Sequence, residues 1–387
     1  MDLSFSRAAF TVSYITEDMA IVPHQESIPQ MATNGGMENT GVYGGGGSFE
    51  RPINHRLAFL STSNQHFDKL AKASISTHQP RALAYDSDRD MLYVAGYGSD
   101  SVVAIGDATK ATIHLKNKIR LGHGGSPCGP TAMDISDDGR VMAFCSLSRQ
   151  VAAVDYPVKG SPKVAMSDAV SKSRYSKEAQ KGRALFRMGD NARLSTNGVM
   201  ACESCHPEGR TDGLSWRIGG GALNTPLLAG KVVGTHPFKW DGGDKDLNTS
   251  LTHTVTRLGG TGINAQEAKA IAAFLGEMPK ARIPTIKSHK AVARGKKLFA
   301  SKEVGCASCH SGKLRTDRKM YDLANDLDKV DTPALVGLAS SAPYYHDGSA
   351  TTLEALLLEN GSIHGMGKLD KLDEQDMSDL IAYLETL

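Results

Sequence analysis

The stretches VMACESCHPEG (residues 199–209) and EVGCASCHSGK (residues 303–313) contain the same Cys-x-x-Cys-His box, about 100 residues apart. Each box follows a segment with apolar residues at helical spacing: SKEAQKGRALFRM (176–188) in the first case and SHKAVARGKKLFA (288–300) in the second. A helix followed by the same box, occurring twice, indicates that the second part of the chain is a tandem duplication.

The two halves also match after the box. NTPLLAGKVVGTHPFKWDGGDKDL (224–247) aligns with DTPALVGLASSAPYYHDGSATTL (331–353), and amphipathic helices are predicted over 264–279 and 373–387. We therefore predict two mainly α-helical domains, over residues 170–282 and 283–387.

A Cys-x-x-Cys-His box is typical of covalent haem attachment, because the two thiols add to the haem vinyl groups and the adjacent histidine reaches the iron. The alternatives are a zinc site, which would usually need paired ligands elsewhere, and a redox dithiol, which would need βαβ surroundings. The separate helical frame of each box favours two haems c. We predict that the residues binding them are Cys202, Cys205 and His206 for the first haem and Cys306, Cys309 and His310 for the second.

Before about residue 160 the sequence alternates between apolar and polar residues in short runs, which predicts β-strands. PRALAYDSDRDMLYVAGYGSDSVVAI (80–105) aligns without a gap with PTAMDISDDGRVMAFCSLSRQVAAVD (130–155), with three strands in each copy. Repeats of this length are typical of β-propeller blades, and the sequence resembles the YVTN type. We predict a partial propeller over 1–165. Because closed propellers have about four to eight blades, we expect upstream sequence or a partner subunit to complete it.

The remaining cysteines of this region are Cys128 and Cys145. A disulfide between them and two buried thiols are both compatible with the sequence.

Composition excludes some classes of function. The 387 residues include 44 basic and 42 acidic side chains without a basic run, which argues against a nucleic-acid partner. No apolar run is long enough to span a bilayer, and the beginning of the chain lacks the pattern of a signal peptide, so a soluble chain is expected. Since haem c is attached after export in bacteria, we predict a periplasmic or extracellular location, with a signal removed or encoded upstream.

The two halves differ where a sixth iron ligand would come from. His364 lies eleven residues after Leu353, whereas Leu258 lies eleven residues after the matching Leu247. Because leucine cannot bind iron, this register predicts an open first haem and a second haem closed by His364. An open ferric haem binds peroxide or oxygen, whereas a six-coordinate haem mainly transfers electrons.

Other ligands remain open at this point. Met366 is the alternative sixth ligand of the second haem, and His236 or His253 would close the first haem if the register does not hold.

From about residue 175 to 387 the chain resembles the bacterial di-haem cytochrome c peroxidases and their MauG-type relatives. The resemblance rests on the two boxes and on NTP, FKWDGG, TDRK, DTPAL, APYYHDGSATTLEAL and the final LIAYLETL. It implies two class I-like cytochrome c domains after the propeller blades. It also implies that peroxide reacts at the first haem, that the second haem supplies electrons, and that a redox protein is the partner.

The resemblance further implies roles for individual residues. Trp240 would be an electron relay between the haems, and Asn224 with backbone oxygens near Thr332 would bind a calcium ion between the domains. The glutamate that moves protons in the family is absent near TVTRLGGTG (254–262), so His253 and Arg257 are the candidates for proton transfer or charge stabilisation.

A second departure concerns activation. Peroxidases that need reductive activation carry a histidine shortly after the first box, but the aligned stretch LSWRIGGG contains Trp216 and no histidine. This difference predicts a first haem that is open without activation.

These observations predict a di-haem oxidoreductase that reduces peroxide, or uses it to oxidise a partner, with electrons passing through the second haem and Trp240. The main alternative is a non-enzymatic electron carrier whose propeller docks a dehydrogenase. A third hypothesis makes the propeller itself a dehydrogenase that feeds the haems.

Overall fold

The computed structural model of this protein describes residues 5–28, 52–63, 68–110, 113–122, 126–218, 221–322, 329–358 and 367–387. These residues form two compact units. The first is drawn from 1–28, 41–204 and 258–261, and the second from 205–257 and 262–387. In the ranges just given, no helix has the length and apolar character needed to cross a membrane. The limits predicted for the three domains stay predictions.

The first unit contains three antiparallel sheets. The first sheet has the order β1-β3-β4-β5, with β2 paired to β3, and the others have the orders β6-β7-β8-β9 and β10-β11-β12-β13. The strands are β1 (Phe5–Arg7), β2 (Ser13–Thr16), β3 (Met19–Ser27), β4 (Ile53–Ser61), β5 (Asp68–Ser74), β6 (Pro80–Asp86), β7 (Met91–Gly96), β8 (Ser101–Gly106), β9 (His114–Arg120), β10 (Pro130–Ile135), β11 (Val141–Cys145), β12 (Gln150–Asp155) and β13 (Lys163–Met166). The β-rich character of this region is confirmed, and each aligned repeat has a fourth strand besides the three predicted.

Side-chain burial follows the position of each strand in its sheet. All residues of β7 and β8, the inner strands of the second sheet, are buried, whereas β9 at the edge exposes every residue except Ile119. Small apolar side chains of the second and third sheets, such as Val102 and Val141, belong to one hydrophobic cluster. The aligned repeats therefore form neighbouring sheets that share a core, because burial of apolar surface is the main favourable term in folding.

The structure joins Cys128 and Cys145 in a disulfide, which decides between the two states that the sequence allows. Cys145 ends β11, and the two residues are 1% and 0% exposed in the same cluster as Val102. The bridge therefore ties the loop before the third sheet to its second strand from inside the core.

A helix, α1 (Lys177–Arg187), precedes the first box and belongs to the first unit. It begins at Ser176, whose side chain accepts a hydrogen bond from the Ala179 amide, a typical N-cap. At the other end the fully buried Arg187 donates from Nη2 to Asp100 Oδ1 at 2.7 Å. The predicted helix is thus present and is fixed to the turn that leads into β8.

The second unit contains most of the helices and two short hairpins, and α2 lies across the boundary between the units. The elements are α2 (Cys202–Cys205), β14 (Ser215–Ile218), β15 (Gly221–Asn224), α3 (Leu247–Arg257), α4 (Ala265–Glu277), α5 (His289–Ala300), β16 (Met320–Tyr321), β17 (Val330–Asp331), α6 (Leu353–Leu358) and α7 (Glu374–Leu384). Asn264, Ser288 and Asp373 are the N-caps of α4, α5 and α7, and Asn264 forms a complete capping box with Glu267. The helices predicted over 264–279, 288–300 and 373–387 are therefore confirmed.

Helices α5 and α7 approach each other at Gly295, the glycine of SHKAVARGKKLFA before the second box. A Cβ added there would lie 1.8 Å from the carbonyl oxygen of Asp379, and the Phe299 and Tyr383 rings meet edge to face one turn away. We expect Gly295→Ala to lower the free energy of unfolding of this unit by about 1–3 kcal/mol, because extra volume at a tight contact forces the helices apart. Urea denaturation followed by the fluorescence of the helical unit would measure the change.

Gly276→Ala is the matched control for Gly295→Ala. Gly276 is exposed near the end of α4, and an added Cβ would meet only a Val233 methyl group at 3.2 Å. Since alanine is about 1 kcal/mol more favourable than glycine inside a helix, this variant should be neutral or more stable. Equal stabilities of the two variants would contradict the close approach at Gly295.

Candidate functional site

The first box forms the short helix α2, which places His206 immediately after its last residue. His206 donates from Nδ1 to the carbonyl oxygen of Pro226 at 3.0 Å. This bond fixes the ring and leaves Nε2 as the atom that can bind a metal. Burial lowers the pKa of His206 to about 4, so the imidazole is neutral at pH 7, as an iron ligand must be.

The second box has the same local chemistry. His310 donates from Nδ1 to the carbonyl oxygen of Arg315 at 3.0 Å, while its backbone amide binds Cys306 O at 3.0 Å. Burial also lowers the pKa of His310. All four box thiols are half-buried. Both boxes therefore fit a covalently bound haem, with a half-buried thiol pair and an oriented neutral imidazole.

Arg257, at the end of α3, lies near the first box. Its charge interacts with Cys205, and burial is the main cause that lowers its pKa. Among the described residues, its buried Nε has no hydrogen-bond partner. An unpartnered donor of this kind fits a carboxylate or another anionic group of a bound haem.

His253, the other candidate for proton transfer, lies on the outer face of α3. Its side chain is 61% exposed, and its Nδ1 is 2.5 Å from Oδ1 of the buried Asp244. His236 is also exposed. Arg257 is thus half-buried near the first box, whereas His253 is exposed.

Lys239 was missed by the sequence analysis, although it directly precedes Trp240. Its Nζ donates to Thr254 Oγ1 at 2.6 Å and to Ser250 O at 3.1 Å, and lies 3.5 Å from Asp244 Oδ2. Burial, followed by the nearby positive charge of Arg257, lowers the pKa of Lys239 to about 8. Lys239 therefore ties the WDGG loop to α3.

The predicted difference between the two haems, one open and one closed by a sixth ligand, depends on residues that the structure only partly describes. Leu258 follows α3, and its carbonyl oxygen accepts a hydrogen bond from the Thr196 amide at 2.9 Å. His364 and Met366 lie outside the described residues. The open first haem and the closed second haem stay predictions.

Trp240 connects the two box-containing halves of the second unit. Its Nε1 donates to the carbonyl oxygen of Asn224 at 3.0 Å, and its own carbonyl oxygen accepts from the Asp331 amide at 3.0 Å. Asn224 follows the first box and Asp331 follows the second. The half-buried indole is therefore held by the first half, while the backbone of Trp240 is bonded to the second half.

Asn224 itself makes further bonds to the second half. Its backbone N–H donates to His346 O at 2.5 Å, and its side-chain Nδ2 donates to Pro343 O. Within the described ranges, its buried Oδ1 has no partner, and the same holds for Oδ1 of Asp331. Burial raises the pKa of Asp331 to about 7. An unpartnered amide oxygen and a desolvated carboxyl group are each the kind of oxygen ligand that a hard cation such as calcium prefers.

The other predicted calcium contact is less available. The carbonyl oxygen of Thr332 already accepts a hydrogen bond from Thr316 Oγ1 at 2.7 Å. No group of three or more His, Cys, Asp or Glu side chains that could hold a metal occurs in the described ranges. The sequence analysis did not single out Asp331 as a calcium ligand. The DTP stretch has aspartate where the matching NTP stretch has asparagine, and only the fold shows the burial of this carboxyl group.

Comparisons with known proteins identify sequence relatives of this chain. The model of the cytochrome c family matches residues 292–387. The methylamine utilization protein MauG of Methylorubrum extorquens is 28% identical over 275 residues, covering 53% of this chain and 76% of that protein. The hydrazine synthase subunit gamma of Kuenenia stuttgartiensis is 25% identical, covering 52% and 76%, and the cytochrome c551 peroxidase of Nitrosomonas europaea is 23% identical, covering 54% and 79%.

Proposed function

Because this chain belongs to the di-haem cytochrome c peroxidase and MauG family, we propose that it reduces peroxide, or uses peroxide to oxidise a redox protein, at a haem on the first box. Electrons would pass through a second haem on the second box. The coarser statement, that the protein is a haem oxidoreductase, follows from the family itself.

The residues that hold the two haems in this proposal are those of the boxes. Cys202 and Cys205 would bind the first haem and Cys306 and Cys309 the second, and Nε2 of each following histidine would be the atom that binds the iron. A haem iron with an open position supplies the peroxide chemistry. Hydrogen bonds to Pro226 O and Arg315 O hold the two imidazoles in the ligand tautomer.

The observation that best supports a reactive first haem is Arg257. Its side chain is half-buried, its buried Nε has no hydrogen-bond partner among the described residues, and it directly precedes Leu258, which the sequence register assigns to the vacant iron position. A guanidinium at this position would stabilise negative charge that develops on the substrate. His253, exposed and held by Asp244, is suited to exchange protons with solvent rather than to touch the substrate.

Trp240 would carry electrons between the two haems. Its indole is held by Asn224 O, and its backbone is held by Asp331, so both halves fix its position.

In the same region Asn224, Asp331 and a backbone oxygen near Thr332 would bind calcium, which would neutralise the buried carboxylate of Asp331.

The proposal extends to location and partners. A chain that carries haem c works in the periplasm or on the outer surface, because the haem is attached after export. The sheets of residues 1–165 would be propeller blades, completed by upstream sequence or a partner subunit, and would offer a surface for a redox protein.

Electron paramagnetic resonance of the oxidised protein tests the function directly. We expect one high-spin and one low-spin iron, and we expect one equivalent of hydrogen peroxide to change the absorption spectrum within the mixing time. Two low-spin irons that do not respond to peroxide would contradict the proposal and would favour a non-enzymatic electron carrier.

A further inference from the structure

The first unit binds both residues that lie between the thiols of the first box. Glu203 and Ser204 are 4% and 2% exposed. Glu203 Oε1 accepts a hydrogen bond from Arg81 Nη2 of β6 at 2.9 Å, and Ser204 O accepts one from Gln25 Nε2 of β3 at 2.8 Å. Side chains of two different sheets therefore hold the turn of the chain to which the first haem would be attached.

The second box has no equivalent of the Arg81–Glu203 pair among the described residues. The corresponding positions are Ala307, which has no charge, and Ser308, which is exposed and donates locally to Gly305 O at 2.5 Å. The two boxes thus have the same ligands but different support. The difference is an ion pair supplied by the β-sheet region.

Arg81 is held by more than its partner carboxylate. Its guanidinium carbon lies 3.6 Å from the centre of the Tyr97 ring and 4.3 Å from that of the Phe10 ring, and the side chain is 8% exposed. Arginine stays charged in such surroundings and its planar group stacks well on aromatic rings. The position of the positive charge is therefore fixed.

Tyr97 is in turn fixed by α1, the helix that leads to the box. Arg187 of α1 donates from Nη1 to Tyr97 O, and its guanidinium lies 5.2 Å from the centre of the Tyr97 ring. The same tyrosine therefore contacts both the arginine that binds the box and the helix that precedes it. This arrangement couples the box to the second sheet at two points.

We infer that Arg81 and Glu203 are positioning residues for the first haem, and that their ion pair sets its reduction potential. The inference rests on the proposed function only in placing a haem on the first box. Glu203 is adjacent to Cys202, so its charge would lie near that haem in a region of low dielectric constant, where a fixed charge has a large effect. The Arg81 charge balances it. The β-sheet region is thereby part of the first haem site, in addition to any docking role.

The test is an EPR-monitored redox titration of the full-length holoprotein. Glu203→Gln removes the negative charge, keeps the side-chain shape and leaves Arg81 charged. The unbalanced cation favours the ferrous state, so we expect one of the two haem signals to shift to a higher midpoint potential while the other stays unchanged. Glu203→Asp, which keeps the charge, should stay close to the wild-type potential.

Asp138→Asn is the matched control, because Asp138 forms an ion pair with Arg140 in the same unit, but both side chains are about half exposed. We expect it to move neither haem. An unchanged potential in Glu203→Gln, an equal shift of both haems, or the same shift in Asp138→Asn would overturn the inference. A protein that ignores peroxide but shows the expected shift in Glu203→Gln would refute the proposed function and leave the inference intact.

Discussion

Replacing Cys202 and Cys205 by serine is expected to remove one of the two covalent haems and to abolish the reaction with peroxide. The same change at Cys306 and Cys309 should remove the other haem and leave the first haem able to react. The reason is chemical, since a thioether to the haem vinyl group forms only from a thiol. The mass of the denatured protein, which keeps only covalently attached haem, measures the loss of a haem in each variant. The high-spin EPR signal measures whether the open first haem remains.

The control for these double variants is the change of Cys128 and Cys145 to serine. It removes the same number of cysteines and should leave both haems attached, because these two residues are joined to each other and are buried among the β-sheets. Retention of two covalent haems after loss of either box would contradict the assignment of the boxes. Loss of the peroxide reaction in both box variants would contradict the division of roles between the haems.

Changing Trp240 to phenylalanine is expected to slow electron transfer from the second haem to the first by about tenfold or more, equivalent to a barrier higher by about 1.4 kcal/mol. Phenylalanine keeps most of the apolar volume, but it lacks the N–H that binds Asn224 O and is harder to oxidise. Stopped-flow absorption after mixing the half-reduced protein with peroxide would follow the oxidation of the low-spin haem.

The chain offers a matched control, because it has only two tryptophans. Trp216 is 5% exposed and its Nε1 binds Asp212 Oδ2 at 2.9 Å, a bond within the first half. Trp216→Phe therefore loses a comparable indole hydrogen bond, also within the first half, at a residue to which the proposal gives no role in electron transfer. Equal rates for Trp240→Phe and the wild type would show that electrons take another route, and equal slowing in both variants would point to a general loss of structure.

Local sequence patterns predicted the secondary structure well. The helices before and after each box follow from apolar spacing of 3.6 residues, and caps such as Asn264 with Glu267 mark where they begin. The strands follow from alternation with a period of two, and the gap-free alignment of 80–105 with 130–155 predicted two similar sheets. The boxes predict the haem-binding residues, because attachment chemistry requires adjacent residues.

Contacts between distant residues could not be predicted. Arg81 and Glu203 are 122 residues apart, and nothing in either local sequence indicates a partner. The spacing of Cys128 and Cys145 is compatible with a bridge but does not give the distance between them. Likewise, the backbone hydrogen bond from Asp331 to Trp240 joins two residues of different halves that are distant in the sequence.

The bridge between Cys128 and Cys145 imposes an order on maturation. If haem is attached at both boxes as proposed, the four box thiols must remain reduced until haem reaches them, whereas these two must be oxidised in the same chain and compartment. Thiol–disulfide exchange requires a thiolate to reach the sulfur that it attacks. Once the sheets have folded around the bridge, its sulfurs are shielded from the box cysteines, so early folding of the β-rich region protects the chain from mispairing before haem is added.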